Sequence, residues 1–338
     1  MVFSLLAVIV LGGIAWLAAP AAPEVFGVVL PYAAIMVFLV GFVWRVMNWG
    51  KSPVPFRIPT TGGQQRSLDW IKPARLDSPY TTTGTVGRMV LEVLTFRSLF
   101  RNTKAELKHE GPRLLQWSSK WLWLFALLFH YSFLIIFMRH FRLFLDPVPY
   151  CITLMETLDG ILQVGVPRFY LSDALIVGAL LFLLCRRLFD YKLRYFSLPA
   201  DYFPLFLLLG ITLSGIFLRY LVKSDIATVK VFIMGLVALS PVSGEGLPPL
   251  FFMHLLFVSA LLIYFPFSKL MHMGGVFFSP TRNLPNNSRA VHHVNPWNPP
   301  KKFHTYAEYE DDFRDLMDEA GLPLEITPEE AAAAAAKE

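Results

Sequence analysis

Apolar residues gather in six long blocks that are separated by polar segments. The blocks are residues 2–19, 26–46, 121–141, 171–189, 203–222 and 250–270. A bilayer core about 30 Å thick is crossed by about 20 apolar residues in a helix. The pattern therefore predicts an all-α integral membrane protein in which six transmembrane helices form one bundle.

The first block resembles the apolar part of a secretory signal peptide, because it ends in the small residues of 18–22. However, no Lys or Arg precedes the block, and a basic start is the other mark of such a signal. We therefore expect a retained helix. Its removal would leave five spans and would not change the rest of the topology.

Basic residues are distributed unevenly between the two predicted sides of the membrane. The loop 45–120 carries 13 of them, the turn 186–194 carries 4 and the chain from Lys269 onward carries 7, which leaves 6 of the 30 for the other side. Cytoplasmic loops are enriched in Lys and Arg. We therefore expect a multi-pass protein of the inner (cytoplasmic) membrane with both termini in the cytoplasm.

The blocks and the polar segments between them divide the chain into four predicted regions. These are two N-terminal transmembrane helices (1–46), a cytoplasmic loop (47–120), a four-helix bundle (121–272) and a cytoplasmic tail (273–338). Within the loop, residues 86–101 have the helical spacing of an amphipathic helix. Such a helix either lies on the inner leaflet or docks a cytoplasmic partner. A second amphipathic helix is predicted over 305–320.

Composition narrows the classes of function. Charged residues make up 16% of the chain, against about 25% in soluble domains, and 55% of the residues are hydrophobic, which excludes a disordered chain. The two cysteines, Cys151 and Cys185, are too few to ligate an iron–sulfur cluster from this chain alone. No basic stripe lies on a folded domain, so nucleic acid is not an expected partner.

Four of the eight histidines lie in or at the edge of apolar blocks: His130, His140, His254 and His272. Ionisable side chains at membrane depth are costly and usually functional. The third and sixth spans are antiparallel in the predicted topology. We therefore expect His130 to meet His272 near the cytoplasm and His140 to meet His254 near the outside. The two helical rises differ, at about 15 Å for ten residues and about 27 Å for eighteen.

Two facing imidazoles in a dry bundle suit the two axial positions of a haem iron, and such a haem transfers electrons without binding oxygen. A zinc site is not indicated, because it would take three or four ligands at one depth, often with an HExxH motif, and the sequence has neither. Two other interpretations remain open. A histidine-gated transporter would show broken helices or inverted repeats. A haem-free membrane anchor would leave each histidine hydrogen-bonded to a neighbouring helix.

The histidine spacings are similar to those of the respiratory nitrate reductase gamma-subunit family over about residues 26–275. Four further segments resemble the DsrM family, the membrane cytochromes b of sulfite-reduction-linked electron-transfer complexes. The segments are VPFRIPTT (54–61), FRNTK (100–104), SLPADYFP (197–204) and FPFSKLMHMGG (265–275). The second resemblance spans nearly the whole chain. Relative to the nitrate reductase subunit, this chain has an extra first span and a longer 45–120 loop.

The resemblance implies a dihaem electron-transfer subunit of a quinol-oxidising oxidoreductase complex in sulfur respiration and sulfate reduction. The implied cofactors are two haem b groups with bis-histidine iron, and the implied substrate is menaquinone. The implied electron partner is a cytoplasmic iron–sulfur subunit related to heterodisulfide reductase. A periplasmic multihaem cytochrome c, an exported iron–sulfur protein and a second membrane subunit are further implied partners.

Other charged residues are candidates at such haem and quinone sites. Four basic residues are expected either to bind haem propionates or to be snorkelling residues that flank the spans. They are Arg139 and Arg219 on the outer side and Lys120 and Lys269 on the inner side. The resemblance also implies a quinone site near His140. Asp173, at the outer start of the fourth span, is expected either to take a proton from the quinol or to cap its helix.

Overall fold

The computed structural model describes residues 1–52, 58, 62–108, 113–160, 167–289, 291–292, 294 and 303–335. These residues form two units, Met1–Val291 and His292–Glu338. Apart from residue 58, the segment 54–61 that carries part of the resemblance lies outside the described residues.

Helices make up most of the first unit. In chain order they are α1 (Val2–Ala18), α2 (Leu30–Gly50), α3 (Thr82–Thr95), α4 (Arg97–Phe100), α5 (Lys120–Phe144), α6 (Tyr150–Asp159), α7 (Leu171–Phe189), α8 (Tyr191–Phe196), α9 (Pro199–Phe217), α10 (Ile226–Val237), α11 (Pro249–Tyr264) and α12 (His272–Gly275). A π-helical turn, Val25–Val29, leads into α2, and a second one, Leu218–Val222, ends α9.

Among the described residues, four stretches are long and apolar enough to cross a membrane: Val25–Gly50, Lys120–Phe144, Pro199–Val222 and Pro249–Phe267. They correspond to the second, third, fifth and sixth predicted spans. The first predicted span forms α1, which has only 17 residues, and the fourth forms the 19-residue α7. The apolar helix α10 was not predicted. A multi-pass membrane protein is therefore supported, and six spans stay a prediction.

Three apolar clusters hold the described helices together. Phe232 of α10 and Phe252 of α11 are buried in one cluster beside the end of α1, and Leu180 of α7 is fully buried in a second, against α9. In the third, Leu207 of α9 packs between α1 and α11. Glycines let α2 and the π-helical turn before it approach their neighbours closely. A Cβ added at Gly27 would lie 2.8 Å from Phe232, and one at Gly41 would lie 2.9 Å from Pro266.

The chain does not continue as one helix from His254 to His272, as the sequence predicted. The α-helix ends at Tyr264, a 3₁₀ turn spans Phe265–Phe267, and Ser268 is extended with φ −117° and ψ 177°. A proline at the second position of this turn removes a backbone donor, so a regular helix cannot run through it. The five-turn distance between the two histidines therefore does not apply, and His272 begins a separate short helix.

The long loop departs from an all-α fold. Its strands β1 (Thr103–Lys108) and β2 (Arg113–Ser118) pair as an antiparallel hairpin. The predicted amphipathic helix forms, but it is divided at Phe96, where the backbone is left-handed with φ 49°. A residue in this conformation commonly ends a helix, because its N–H turns back to the last carbonyls. The part of the chain that the structure describes is therefore mostly helical, with a hairpin in this loop.

The loop packs against the chain that follows α12. The side-chain amide of Asn286 donates to Ser78 Oγ at 3.0 Å, and its backbone N–H donates to Pro79 O at 2.6 Å. Arg88 donates to Thr281 O at 2.9 Å. Burial lowers the pKa of the Arg88 guanidinium below its ordinary value. Because these contacts join residues 62–101 to residues 276–289, we call these two ranges together the loop platform.

The second unit contains α13 (Tyr306–Glu319) and α14 (Pro328–Ala335). Thr305 caps α13 in a capping box with Glu308, and Gly321 follows its end with φ 67°. Both are sequence signals for helix ends. The helix predicted over 305–320 is therefore found.

Candidate functional site

Four histidines from the helical bundle stand in two facing pairs. The ring centroids of His130 and His272 are 5.9 Å apart, with 87° between the ring planes. Those of His140 and His254 are 6.5 Å apart, and these rings are nearly parallel, at 9°. The structure thus brings together the residues that the antiparallel arrangement of α5 and the sixth span predicted. We call His130 and His272 the inner pair, and His140 and His254 the outer pair.

Every one of the four rings is anchored through the same nitrogen. The Nδ1 contacts are 2.7 Å from His130 to Ala126 O, 2.7 Å from His140 to Ile136 O, 2.9 Å from His272 to Lys269 O and 2.9 Å from His254 to Ser214 Oγ. A carbonyl oxygen only accepts, so Nδ1 carries the proton in at least three of the four rings. The lone pair of a neutral ring then lies on Nε2, which suits a metal ligand held by its other nitrogen.

The distance within each pair fits two imidazoles on opposite sides of one metal ion. A ligating nitrogen lies about 2 Å from the ion and the ring centroid about 1 Å beyond it, so the two centroids are then about 6 Å apart. Among the described residues, no group of three or more His, Cys, Asp and Glu side chains is placed to hold a metal ion. Two ligands suit a metal that brings its remaining ligands with it, as haem iron does.

The inner pair is covered by residues of α5 and of the loop platform. Phe129 and Phe96 each present a ring to His130 in a T-shaped contact, with centroid distances of 5.0 and 4.9 Å. The carbonyls that precede Phe96 are bound by α5, because Trp123 Nε1 donates to Thr95 O at 2.7 Å. Tyr131 also donates to a carbonyl of this turn, at 2.9 Å. The turn after α3 is thereby fixed beside the inner pair.

A buried ionic network lies next to the outer pair. Arg139 precedes His140 on α5, and its Nη2 donates to Asp173 Oδ1 at 2.6 Å, while its Nε lies 3.3 Å from Asp159 Oδ2. The Ser172 hydroxyl donates to Asp159 at 2.6 Å, and the Tyr220 hydroxyl donates to Asp173 at 2.9 Å. All but Tyr220 are less than a tenth exposed. The network ties α5, α6, α7 and the end of α9 together.

The Nε of each outer arginine is buried without a hydrogen-bond partner, but the two arginines differ in their carboxylate partners. Arg139 is held by two carboxylates and also lies 3.7 Å over the ring of Tyr170. Arg219 lies 4.2 Å over the same ring and donates to Arg168 O, but its Nε is buried without a hydrogen-bond partner. Arg219 therefore has a donor left for an anionic ligand. Asp173 is engaged at both carboxylate oxygens.

The two inner lysines are also engaged. Lys269 Nζ lies 2.6 Å from Asp201 Oδ1, and Lys120 Nζ lies 5.6 Å over the ring of Phe100. Propionate binding by these lysines and by Arg139 and Arg219 stays a prediction.

Asp159, Tyr220, Ser214 and Phe96 were not identified from the sequence. Asp159 is 20 residues from Arg139, and Ser214 is 40 residues from His254, so no spacing rule relates them. The sequence held one local signal for two of them: Asp159 and Tyr220 are polar residues beside apolar segments, a position that is typical of functional groups in membrane proteins.

Two comparisons place the chain among known proteins. Residues 88–290 match the family described as the nitrate reductase gamma subunit. This range includes all four paired histidines, and it excludes α1 and α2. A protein of Archaeoglobus fulgidus is 48% identical over 282 residues, which cover 81% of this chain and 84% of the relative. A protein of Archaeoglobus profundus is 42% identical over 277 residues, which cover 80% and 82%. Both relatives are named Hdr-like menaquinol oxidoreductase cytochrome b-like subunit.

Proposed function

Because this chain belongs to the nitrate reductase gamma subunit family, we propose that it is a membrane cytochrome b with two haem b groups. His130 and His272 bind the inner haem, and His140 and His254 bind the outer one. The observation that carries the proposal is the spacing of both pairs, with ring centroids 5.9 and 6.5 Å apart. Bound haem supplies a reversible one-electron change at its iron.

In this function the protein holds and orients the four histidine rings and keeps water away from the inner pair. The Nδ1 contacts with Ala126 O, Ile136 O, Lys269 O and Ser214 Oγ hold the four rings in position. Such contacts also make the ligating nitrogen more basic. Phe96 and Phe129 shield the inner pair. Arg219, which has an unpartnered Nε and, unlike Arg139, no carboxylate partner among the described residues, is the outer residue that binds a propionate.

The electrons are exchanged with menaquinol on the outer side. The names of both relatives support this substrate. A quinol that loses two electrons also releases two protons, so a proton acceptor must lie near its ring. We place the quinone beside His140, where Asp173 takes one of the two protons and water on the outer side takes the other. Tyr220, which donates to Asp173 Oδ2, links this carboxylate to the end of α9.

The electrons leave on the inner side to a cytoplasmic iron–sulfur subunit related to heterodisulfide reductase. The word Hdr-like in the names of the relatives supports this partner. More narrowly, we assign the chain to the DsrM group, which functions in sulfur respiration. A periplasmic multihaem cytochrome c, an exported iron–sulfur protein and a second membrane subunit complete the proposed complex. The protein lies in the inner membrane with both termini in the cytoplasm.

The test is a reduced-minus-oxidised absorption spectrum and a haem count on the purified protein. Two haems per chain are expected, whereas a transporter or a haem-free anchor would be colourless. His254→Ala should remove the outer haem alone, and His272→Ala the inner haem alone. His292→Ala, an exposed histidine outside both pairs, is the matched control. If His254→Ala and His130→Ala removed the same haem, the assignment of the pairs would be wrong.

A further inference from the structure

The helix α2 lies outside the range that matches the family, yet it runs alongside the sixth span down to the inner pair. The two segments are parallel, because Phe38 contacts Phe265 at 5.6 Å between ring centroids and Trp44 contacts Phe267 at 6.4 Å. Further along, the Trp49 ring would lie 3.5 Å from a Cβ at Gly275. The residue after Trp44 therefore lies at the depth of His272.

That residue is Arg45, and it shares a helix face with two residues that contact the chain just after His272. Phe42, Arg45 and Trp49 are spaced i, i+3 and i+7 and so share one face of α2. Phe42 and Trp49 both lie 3.9 Å from a Cβ that is added at Gly274, two residues after His272. The Arg45 guanidinium lies 5.4 Å over the Trp49 ring, which fixes its direction.

Arg45 has an unused donor. Its Nε is buried and has no hydrogen-bond partner, and no carboxylate of the described residues forms an ion pair with it. Buried donors are seldom left unpaired, because the lost hydration is not replaced. The planar guanidinium matches a carboxylate with two parallel hydrogen bonds.

Lys269, one of the two inner-side residues that the sequence suggested for this role, already has a partner. Lys269 Nζ lies 2.6 Å from Asp201 Oδ1, and three quarters of its side chain is exposed. It therefore has both a carboxylate partner and access to solvent. Arg45 has no carboxylate partner among the residues that the structure describes, and its Nε is buried.

We propose that Arg45 binds a carboxylate of the ligand seated at the inner pair, which is a propionate of the inner haem. This inference rests on the proposed function. The role belongs to an element outside the range that matches the family model.

The test is a redox titration of the purified full-length protein that resolves both haems. The inner haem is identified in His254→Ala, which retains it. Arg45→Gln leaves the propionate charge uncompensated and so disfavours the reduced haem. We expect about a tenfold lower ratio of reduced to oxidised inner haem at a fixed potential, equivalent to about 59 mV, with the outer haem unchanged. Arg45→Lys keeps the positive charge but loses the planar guanidinium, so the shift in the potential of the inner haem should be smaller than in Arg45→Gln.

The matched control is Arg187→Gln, since Arg187 also lies over an aromatic ring, at 5.9 Å from Tyr202. It should leave both potentials unchanged. An unshifted inner haem in both Arg45 variants would overturn the inference, as would a shift seen only in Lys269→Gln. Equal shifts of both haems would also overturn it, because they would report a general disturbance.

The alternative ligand for Arg45 is the phosphate of a lipid headgroup. A second experiment distinguishes a lipid phosphate from a haem propionate. The wild-type inner haem is titrated in phosphatidylcholine vesicles with and without phosphatidylglycerol. Equal potentials support the propionate, whereas a potential that changes with the anionic lipid overturns the inference in favour of a lipid phosphate. A protein without haem bands would instead refute the proposed function itself.

Discussion

Phe96 lies edge-on against His130, with 4.9 Å between the ring centroids and 79° between the ring planes. Phe96 belongs to the loop platform, whereas His130 belongs to α5. The backbone of Phe96 has φ 49° and ψ 45°, a left-handed conformation that costs a bulky residue about 1–2 kcal/mol. Hydrogen bonds from Trp123 and Tyr131 hold the adjoining carbonyls. The loop platform therefore reaches the inner pair directly through this one ring.

Replacing Phe96 tests whether that ring keeps water from the inner haem. Phe96→Leu should retain both haems and lower the potential of the inner one by about 30 mV, a few-fold change in the one-electron equilibrium. The physical reason is that water stabilises the more highly charged oxidised haem. A redox titration measures the shift. Phe100→Leu, which removes a neighbouring ring that packs on Trp123, should leave the potential unchanged.

Breaking the buried network beside the outer pair should weaken the bundle. Arg139→Gln leaves Asp159 and Asp173 without their cation, and losing one partner of a buried ion pair costs about 3–5 kcal/mol. Arg142→Gln is the control on the same helix, because the partly exposed pair with Glu156 contributes about 1 kcal/mol or less. Helix content followed through denaturation in detergent measures both variants. Equal losses would mean that the network is not structural.

Charge reversal on the loop platform tests docking of the iron–sulfur subunit. Lys72 and Arg75 are exposed, and the loop 45–120 has 13 basic and 5 acidic residues. The double variant Lys72→Glu, Arg75→Glu should lose the partner on purification while its haem content stays normal. Deleting residues 52–84 should have the same effect, but it also removes the Ser78 contact with Asn286.

The control for docking is Lys223→Glu, an exposed residue on the predicted outer side. It should purify with the partner at normal stoichiometry. If the double variant also retained the partner, the basic loop would be serving only to bind anionic lipid.

Topology is the most direct prediction of the charge distribution. Reporters fused after Gly63 and after Asn298 should both give a cytoplasmic signal, because 24 of the 30 basic residues fall on that side. Opposite signals would show that the number of spans between the two sites is odd. A third reporter after Lys223 should give the outside signal.

The amino-acid sequence alone determined the elements whose cause is local. Hydropathy over about 20 residues predicted α2, α5, α9 and α11, because a helix that crosses lipid must be apolar along its own length. Thr305 and Gly321 predicted the two ends of α13, because a capping residue acts within one turn of its own helix. The histidine pairs also followed from the sequence, because the direction of two spans orders the residues along them.

Only the tertiary structure decided which distant side chains meet. The candidates for binding propionates were chosen by their charge and by their predicted depth in the membrane. However, Lys269 forms an ion pair with Asp201, and Arg139 forms ion pairs with Asp159 and Asp173. The break at Ser268 had a local signal in Pro266, yet the new direction of the chain depends on how Gly41 packs against that proline. Periodicity identifies the face of a helix, whereas the neighbour of that face depends on the packing of all the helices together.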